Sequence, residues 1–268
     1  MKKITPVRVI PKIRSDRKLV EIANGYFVNI WYTSERYGKV RVSEPDIWTY
    51  SGPDRSWRFQ HHSLASVSHL VDAYQLTLDR KYIDKGLSII FDWFDKNFPK
   101  SLSEMGWHDH STAWRLINIC RLYAVIEDKN EILVNDLSQI IIAHCEKLAH
   151  QDFYMEKHNH GLDQDMALFT AANLFSHLEK SDYWDELSIS RFFIQLNNLF
   201  AEDGSYLEHS PHYVYLLLKN LYGFLNFMKE INHEKTFKLL ETLERVLNYL
   251  VYVLRPEDRK STRLNSSH

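Results

Sequence analysis

Apolar residues recur at helical spacing through most of this chain, and this pattern limits the fold more than any other feature. Leu64, Val67, Leu70 and Tyr74, for example, fall on one face of a helix. The same spacing predicts helices over about 62–78, 81–97, 109–127, 131–150, 161–178, 184–201, 211–230 and 235–254. Short breaks separate these segments, which favours antiparallel neighbours joined as hairpins.

The predicted class is all-α. The sequence has only 8 Gly and 7 Pro among 268 residues, which favours long helices over turn-rich β structure. Helical hairpins can stack as a bundle, a solenoid or a closed (α/α) toroid, and the lack of a fixed-period repeat argues against a repeat array. Residues 1–56 are mixed, with strand-like alternation over 27–32, so we expect an N-terminal extension there and the helical domain from 57.

Composition excludes several classes of partner. A net charge of −2 provides no basic field for nucleic acid. No apolar run approaches the roughly 20 residues of a membrane span. Cys120 and Cys145 lie in helical patterns and are expected to be buried thiols. No export signal can be read after Met1, so the sequence leaves localisation unknown.

The end of the sequence looks foreign. Residues 258–268 match the translation of a common sequencing adapter, so we expect them to be a non-native tail. On this interpretation the gene was cut near Glu257, and the chain is a fragment.

The densest polar cluster runs from Lys157 to Asp165. Asn159 and His160 are expected in the loop or first turn of a helix, where free backbone N–H groups and the helix dipole favour anions. Capping by Asn159 or Asp163 would explain one of these polar residues, so capping and ligand binding both remain open.

A second cluster lies between Asp203 and Tyr213. Ser210 is a plausible N-cap with Pro211 at the first helical position, which places His212 and Tyr213 in the first turn. Tyr213 is either a packing aromatic or a residue at a site.

Two further clusters also precede or open helices. Trp107, His108 and Arg115 belong to one of them, and Arg115 is either a carboxylate clamp or part of an interhelical salt bridge. The other is Trp57–His62, which includes Gln60. Because all four clusters lie at helix starts, they could line one cleft in a closed ring of hairpins.

Metal and cofactor sites are not expected. The pairs His158-x-His160 and His108-x-His110 resemble metal ligands, but neither belongs to an HExxH or CxxC pattern. The sequence also has no Gly-rich phosphate loop and no nucleophile elbow.

Together these residues resemble the heparinase II/III and alginate lyase superfamily of polysaccharide lyases, whose members are commonly bacterial. The resemblance covers about 45–255 and rests on these motifs: Trp57–Gln60, Trp107–Asp109 with Arg115, Asn159–Gly161 with Asp165, and Asp203–Tyr213. It implies an incomplete (α/α) toroid over 57–257, with a C-terminal antiparallel β-sandwich domain that this chain lacks and that would be its partner.

The implied chemistry is β-elimination at a uronic acid in an acidic polysaccharide. By resemblance, Asn159 neutralises the substrate carboxylate with help from His160, and Tyr213 transfers the proton. The expected substrate-binding residues are His108, Arg115, Trp107, Gln60, His212 and Glu208. Relatives are usually periplasmic or secreted.

Two features depart from the family pattern. His158 stands where relatives often carry a second Asn, and relatives commonly take a catalytic His from the later domain. We therefore expect this chain to hold only part of a site.

Two other functions remain open. One is a toroid glycoside hydrolase that uses carboxylates such as Asp163, Asp165 or Glu208. The other is a non-catalytic glycan-binding or scaffold domain.

Overall fold

The computed structural model describes residues 4–42, 46–207 and 211–253, without the side chains at 46, 211–213 and 216. This part contains ten α-helices and one small antiparallel sheet of β1 (Ile30–Tyr32) and β2 (Lys39–Arg41). The helices are α1 (Asp16–Gly25), α2 (Arg55–His62), α3 (Ala65–Thr77), α4 (Lys81–Asn97), α5 (Asp109–Val125), α6 (Glu131–Ala149), α7 (Asn159–Leu174), α8 (Ser181–Leu199), α9 (Pro211–Glu230) and α10 (Thr236–Val253). None of these helices is long and apolar enough to cross a membrane.

The helices form two rows, as expected for successive hairpins. In the inner row α1 contacts α3, α3 contacts α5, α5 contacts α7, and α7 contacts α9. In the outer row α4 packs on α3 and α5, α6 on α5 and α7, α8 on α7, and α10 on α9. The all-α prediction is therefore confirmed.

Burial separates the two rows. Helix α7 is buried without interruption from Gly161 to Ala172, and α3 from Ala65 to Ala73. Outer helix α4 instead buries one face at 3- and 4-residue spacing, formed by Tyr82, Ile83, Gly86, Ile89, Ile90 and Trp93. Polar side chains on the inner helices must therefore find partners within the protein.

The structure differs from the predicted helix over 62–78. The chain breaks between α2 and α3, where Leu64 has a left-handed backbone with φ 54°. Two side chains of α5 accommodate this break, since Arg115 donates to the His62 carbonyl at 2.7 Å and Asn118 donates to the Ser63 carbonyl at 2.8 Å. Contacts distant in sequence thus decide where this helix begins.

The N-terminal segment contains a helix that the periodicity did not predict. Helix α1 contacts α3 and buries Leu19, Ile22 and Ala23, and Ser15 caps it by accepting the N–H of Lys18 at 3.3 Å. The strand expected over 27–32 is reduced to β1, because residues 26–28 form a 3-10 turn.

A buried ion-pair network fastens this segment to the inner row. Arg8 binds both carboxylate oxygens of Asp72 on α3, and Arg121 on α5 donates to Asp72 at 3.0 Å. The Asp72 side chain is only 2% exposed. Its burial favours the protonated acid, but the two guanidinium groups outweigh that effect and lower the pKa of Asp72.

Asp72→Asn is expected to lower the free energy of unfolding by about 3 kcal/mol at pH 7, because two arginines lose their shared carboxylate. Since the folded pKa of Asp72 is depressed, its contribution is complete above about pH 4 and is lost as pH falls below that value. Urea unfolding across pH measures both effects. The control is Asp84→Asn, an exposed partner of Arg80, which should cost less than about 0.5 kcal/mol. An unchanged acid dependence in Asp72→Asn would contradict this assignment.

Candidate functional site

A cavity of about 790 Å³ opens between the N-terminal segment and the starts of the inner helices. Gln60 on α2 and Asn159 on α7 line it, as do Lys219 and Asn220 on α9. Residues 9–15 and 32–36 of the N-terminal segment also line it. The structure therefore brings together Gln60 and Asn159, which come from two separate sequence clusters.

Charges around this cavity favour an anionic ligand. Its lining contains Lys12, Arg14, Lys18, Arg36 and Lys219, against the carboxylates of Glu35 and Asp163. Lys18 pairs with Glu35 at 2.5 Å, and Arg36 pairs with Asp54 at 3.2 Å. With these two pairs set aside, Lys12, Arg14 and Lys219 still stand against Asp163 alone, so the local field is positive. Sequence reasoning missed this feature, although basic residues are dense between positions 8 and 18.

Gln195 on α8 fixes the loop that leads into the Asn159-His160-Gly161 segment. Gln195 on α8 accepts the N–H of Lys157 at 2.9 Å and donates to the Met155 carbonyl at 3.0 Å. A Cβ at Gly161 would collide with both the Gln195 side chain and the Met155 oxygen. Glycine is needed here because backbone and Gln195 occupy the space of a side chain.

Asp109 joins the starts of α5 and α7. Its Oδ1 lies 2.6 Å from His108 Nδ1, and its Oδ2 lies 2.8 Å from His160 Nδ1. Arg55 donates toward His108 Nε2 at 3.1 Å, and the backbone N–H of His110 donates to His108 Nδ1 at 3.3 Å, so the His108 ring is held from both sides at the start of α5. Burial alone would raise the pKa of Asp109, but hydrogen bonds from the two imidazoles hold it well below its usual range.

This bridge fixes the orientation of His160. A neutral His160 that donates from Nδ1 to Asp109 keeps an acceptor lone pair on Nε2. Its ring stacks on His110 with centroids 3.9 Å apart and meets His158 edge-on at 4.2 Å. His110, a lining residue, thus connects His160 to the cavity.

Two side chains of α5 form hydrogen bonds with Asp163 on α7. Its Oδ2 lies 2.7 Å from His110 Nε2 and accepts from Trp114 Nε1 at 2.9 Å. All three residues line the cavity. None was among the expected substrate contacts, because the sequence does not reveal which faces of α5 and α7 meet.

Asp165 contacts a different set of residues, although it follows Asp163 by only two positions. Its carboxylate accepts from Arg191 Nε and from the Tyr154 hydroxyl, both at 2.8 Å. Burial raises the pKa of Asp165 to about 7, against the opposing influence of Arg191 and Tyr154. It does not belong to the cavity lining.

The expected substrate contact of Arg115 is not supported by its position. The side chain is fully buried: Nε donates to His144 at 2.8 Å, and the guanidinium lies 3.6 Å from the Trp93 ring centroid. Burial and Arg115 both lower the pKa of His144, which stays neutral and accepts this hydrogen bond. Arg115 joins inner helix α5 to its neighbours, so we assign it a structural role.

The remaining expected contacts divide into two groups. Trp107 packs beside Arg115 and donates to the Asn97 carbonyl at 2.7 Å, while His108 acts on the site through Asp109. Glu208 lies outside the described residues. His212 and Tyr213 open α9, but their side chains are likewise outside the described part of the chain.

Among the described residues, no group of three or more His, Cys, Asp or Glu side chains is placed to hold a metal ion.

Comparison with known proteins gives one family and several similar structures. A family model described as Heparinase II/III N-terminus matches residues 11–268. Heparan sulfate lyase HepC from Pedobacter heparinus is 20% identical with a TM-score of 0.72, covering 94% of this chain and 40% of that one. A structure described as Heparinase III is 18% identical with a TM-score of 0.74, covering 96% of this chain and 42% of that one. No match was found among curated proteins.

A third similar structure, the Heparinase III-BT4657 gene product, is 16% identical with a TM-score of 0.70, covering 93% of this chain and 42% of that one. These likenesses confirm the (α/α) toroid fold. The chain spans about two fifths of the length of these structures.

Arg115→Lys is expected to lower the free energy of unfolding by about 2–4 kcal/mol, because an ammonium cannot serve the same acceptors and lies unpaired among indole rings. Chemical denaturation of the purified chain measures this. Arg80→Lys, at an exposed arginine paired with Asp84, is the matched control and should cost under about 0.5 kcal/mol. Equal losses in the two variants would contradict the structural role of Arg115.

Proposed function

The chain belongs to the Heparinase II/III N-terminus family, and from that membership we propose that it is the toroid domain of a lyase that cleaves uronic-acid-containing polysaccharide by β-elimination. The observation that carries this proposal is the position of Asn159. This residue opens α7 and lines a cavity that has five cations against two carboxylates. Asn159 thus belongs both to the motif by which the chain resembles polysaccharide lyases and to the lining of a cavity whose charges favour an anion.

The reaction requires charge neutralisation above all. The proton at C5 of a uronate is hardly acidic, and its removal moves negative charge onto the neighbouring carboxylate. The Asn159 amide can donate to that carboxylate, and the positive end of the α7 dipole favours charge there. His160, oriented by Asp109, assists from beside Asn159, and Gln60 contacts the same ligand across the cavity.

Tyr213 is proposed as the proton-transfer group. It lies in the first turn of α9, an inner-row helix that contacts α7 and contributes Lys219 and Asn220 to the cavity lining. Its phenol would remove the C5 proton, protonate the departing O4, or do both in turn. A free tyrosine has a pKa near 10, so cations around the cavity would need to favour the phenolate.

Glycoside hydrolysis has less support from the described residues. That chemistry needs two carboxyl groups beside the scissile bond. Asp163 lines the cavity, whereas Asp165 is committed to Arg191 and Tyr154. New reducing ends without unsaturated product would identify a hydrolase and contradict the lyase proposal.

Asn159→Ala is expected to reduce kcat on a uronate polysaccharide by about 10²–10³, because one preorganised donor to the developing charge is lost. The assay follows the ultraviolet absorbance of unsaturated uronate released by the intact gene product. The matched control is Asn130→Ala, which removes the cap of α6 but leaves the cavity unchanged. Undiminished activity in Asn159→Ala would contradict the proposed role.

Tyr213→Phe is expected to reduce kcat by about 10²–10⁴, since the ring remains but cannot exchange a proton. Tyr215→Phe, two residues later on the same helix and 67% exposed, should retain full activity. The same absorbance assay compares the two variants. If both behave like the parent enzyme, another group transfers the proton.

A further inference from the structure

Two buried glutamines hold the loop that leads to Asn159. Gln164 lies on α7 and Gln195 lies on outer helix α8, which packs on α7, and neither side chain is exposed. A buried carboxamide costs free energy unless its oxygen and its nitrogen both find partners. In both glutamines these partners are backbone groups of residues 153–157, the stretch that precedes α7.

Each glutamine binds one N–H and one carbonyl of this loop. Gln164 accepts the N–H of Met155 at 2.8 Å and donates to the Phe153 carbonyl at 3.0 Å. Gln195 accepts the N–H of Lys157 at 2.9 Å and donates to the Met155 carbonyl at 3.0 Å. Met155 is therefore held at its N–H from α7 and at its carbonyl from α8. Because a backbone N–H only donates and a carbonyl only accepts, these partners also fix which way each amide faces.

The backbone turns into the helix directly after these bonds. Lys157 has a left-handed backbone with φ 58°, a conformation that is unfavourable for lysine. His158 then caps α7 by accepting the N–H of His160 at 3.1 Å, and Asn159 is the first residue of the helix. Asn159 thus follows by two residues the N–H that Gln195 binds, so a shift of the loop moves Asn159 as well.

The two glutamines can influence the cavity only through the residues that they hold. Asn159 lines the cavity, whereas Gln164 and Gln195 do not. In the proposed reaction the Asn159 amide donates to a carboxylate that gains charge, and such a donor is effective only if it is already in place. A displacement of about 1 Å can reduce a rate by about 10²-fold.

We propose that Gln164 and Gln195 are positioning residues that together form a glutamine clamp, which sets the place of Asn159 at the cavity. This inference rests on the proposed function and deepens it, because it names the residues that hold the carboxylate-neutralising amide. Loss of either glutamine should lower kcat. Substrate binding should change little, since the cations of the cavity lining attract the substrate independently of the clamp.

A double-mutant cycle with Asn159→Ala tests the clamp. Gln164→Met and Gln195→Met keep the side-chain length and remove the hydrogen bonds, so each should reduce kcat by about tenfold or more and change KM by less than about twofold. In the Asn159→Ala background each should reduce kcat by less than about twofold, because no amide is left to position. The ultraviolet assay on the intact gene product measures these rates on a glucosamine–glucuronate polysaccharide and on polymannuronate.

Asn97→Leu is the matched control for the loss of a buried amide. Asn97 on outer helix α4 is 2% exposed, donates to the Trp93 carbonyl at 2.8 Å and accepts from the Ser101 hydroxyl at 2.6 Å. It lies outside the cavity lining. Asn97→Leu and each methionine variant should lower the melting temperature by about 5 °C, but Asn97→Leu should leave kcat unchanged. All rates are taken well below the lowest melting temperature, so that every variant is folded.

Gly161→Ala disturbs the clamp without removing either glutamine. Its added Cβ collides with the Gln195 side chain and the Met155 carbonyl oxygen, so the loop must shift. The variant should lower kcat in the parent and much less in the Asn159→Ala background. It decides the question if the methionine variants do not fold.

The outcomes separate this inference from the proposed function. If the folded clamp variants keep the parent kcat while Asn159→Ala loses activity, the clamp is wrong and the proposed function stands. Equal losses with and without the Asn159 amide also overturn the clamp, because the glutamines then act independently of Asn159. If the parent cleaves neither polysaccharide, or Asn159→Ala keeps full activity, the proposed function fails and this inference fails with it.

Discussion

Enclosure of the inner helices is the constraint on which the rest of the structure depends. Helices α5 and α7 are buried along most of their length, so each polar side chain on them must find its partner on a neighbouring element. Arg115 donates to the His62 carbonyl at the break between α2 and α3, and Asp109 pairs with His160 at the start of α7. The same requirement that stabilises the toroid therefore brings the helix starts together around the cavity.

Much of the fold could be predicted because apolar periodicity is strong in this chain. The predicted segments 81–97 and 211–230 coincide with α4 and α9. The periodicity failed at Leu64, whose backbone is left-handed and directly follows two carbonyls that accept hydrogen bonds from α5. Helix α1 was also missed, because its apolar positions span barely more than one turn within a highly charged segment.

The candidate site was less predictable, because it joins residues that are distant in sequence. Asn159 and Gln60 could be selected from polar clusters at helix starts, and both line the cavity. The sequence does not reveal that α5 buries Arg115 while it turns Trp114 toward the cavity. Nor does it show that residues 9–15 cover the same cavity and add cations to it.

A crystal structure with a bound oligouronate tests the central claim most directly. We expect a sugar carboxylate about 3 Å from the Asn159 side-chain amide, inside the cavity between the N-terminal segment and the starts of α2, α5 and α7. A saccharide that binds outside this cavity, or whose carboxylates all lie far from Asn159, would contradict the account.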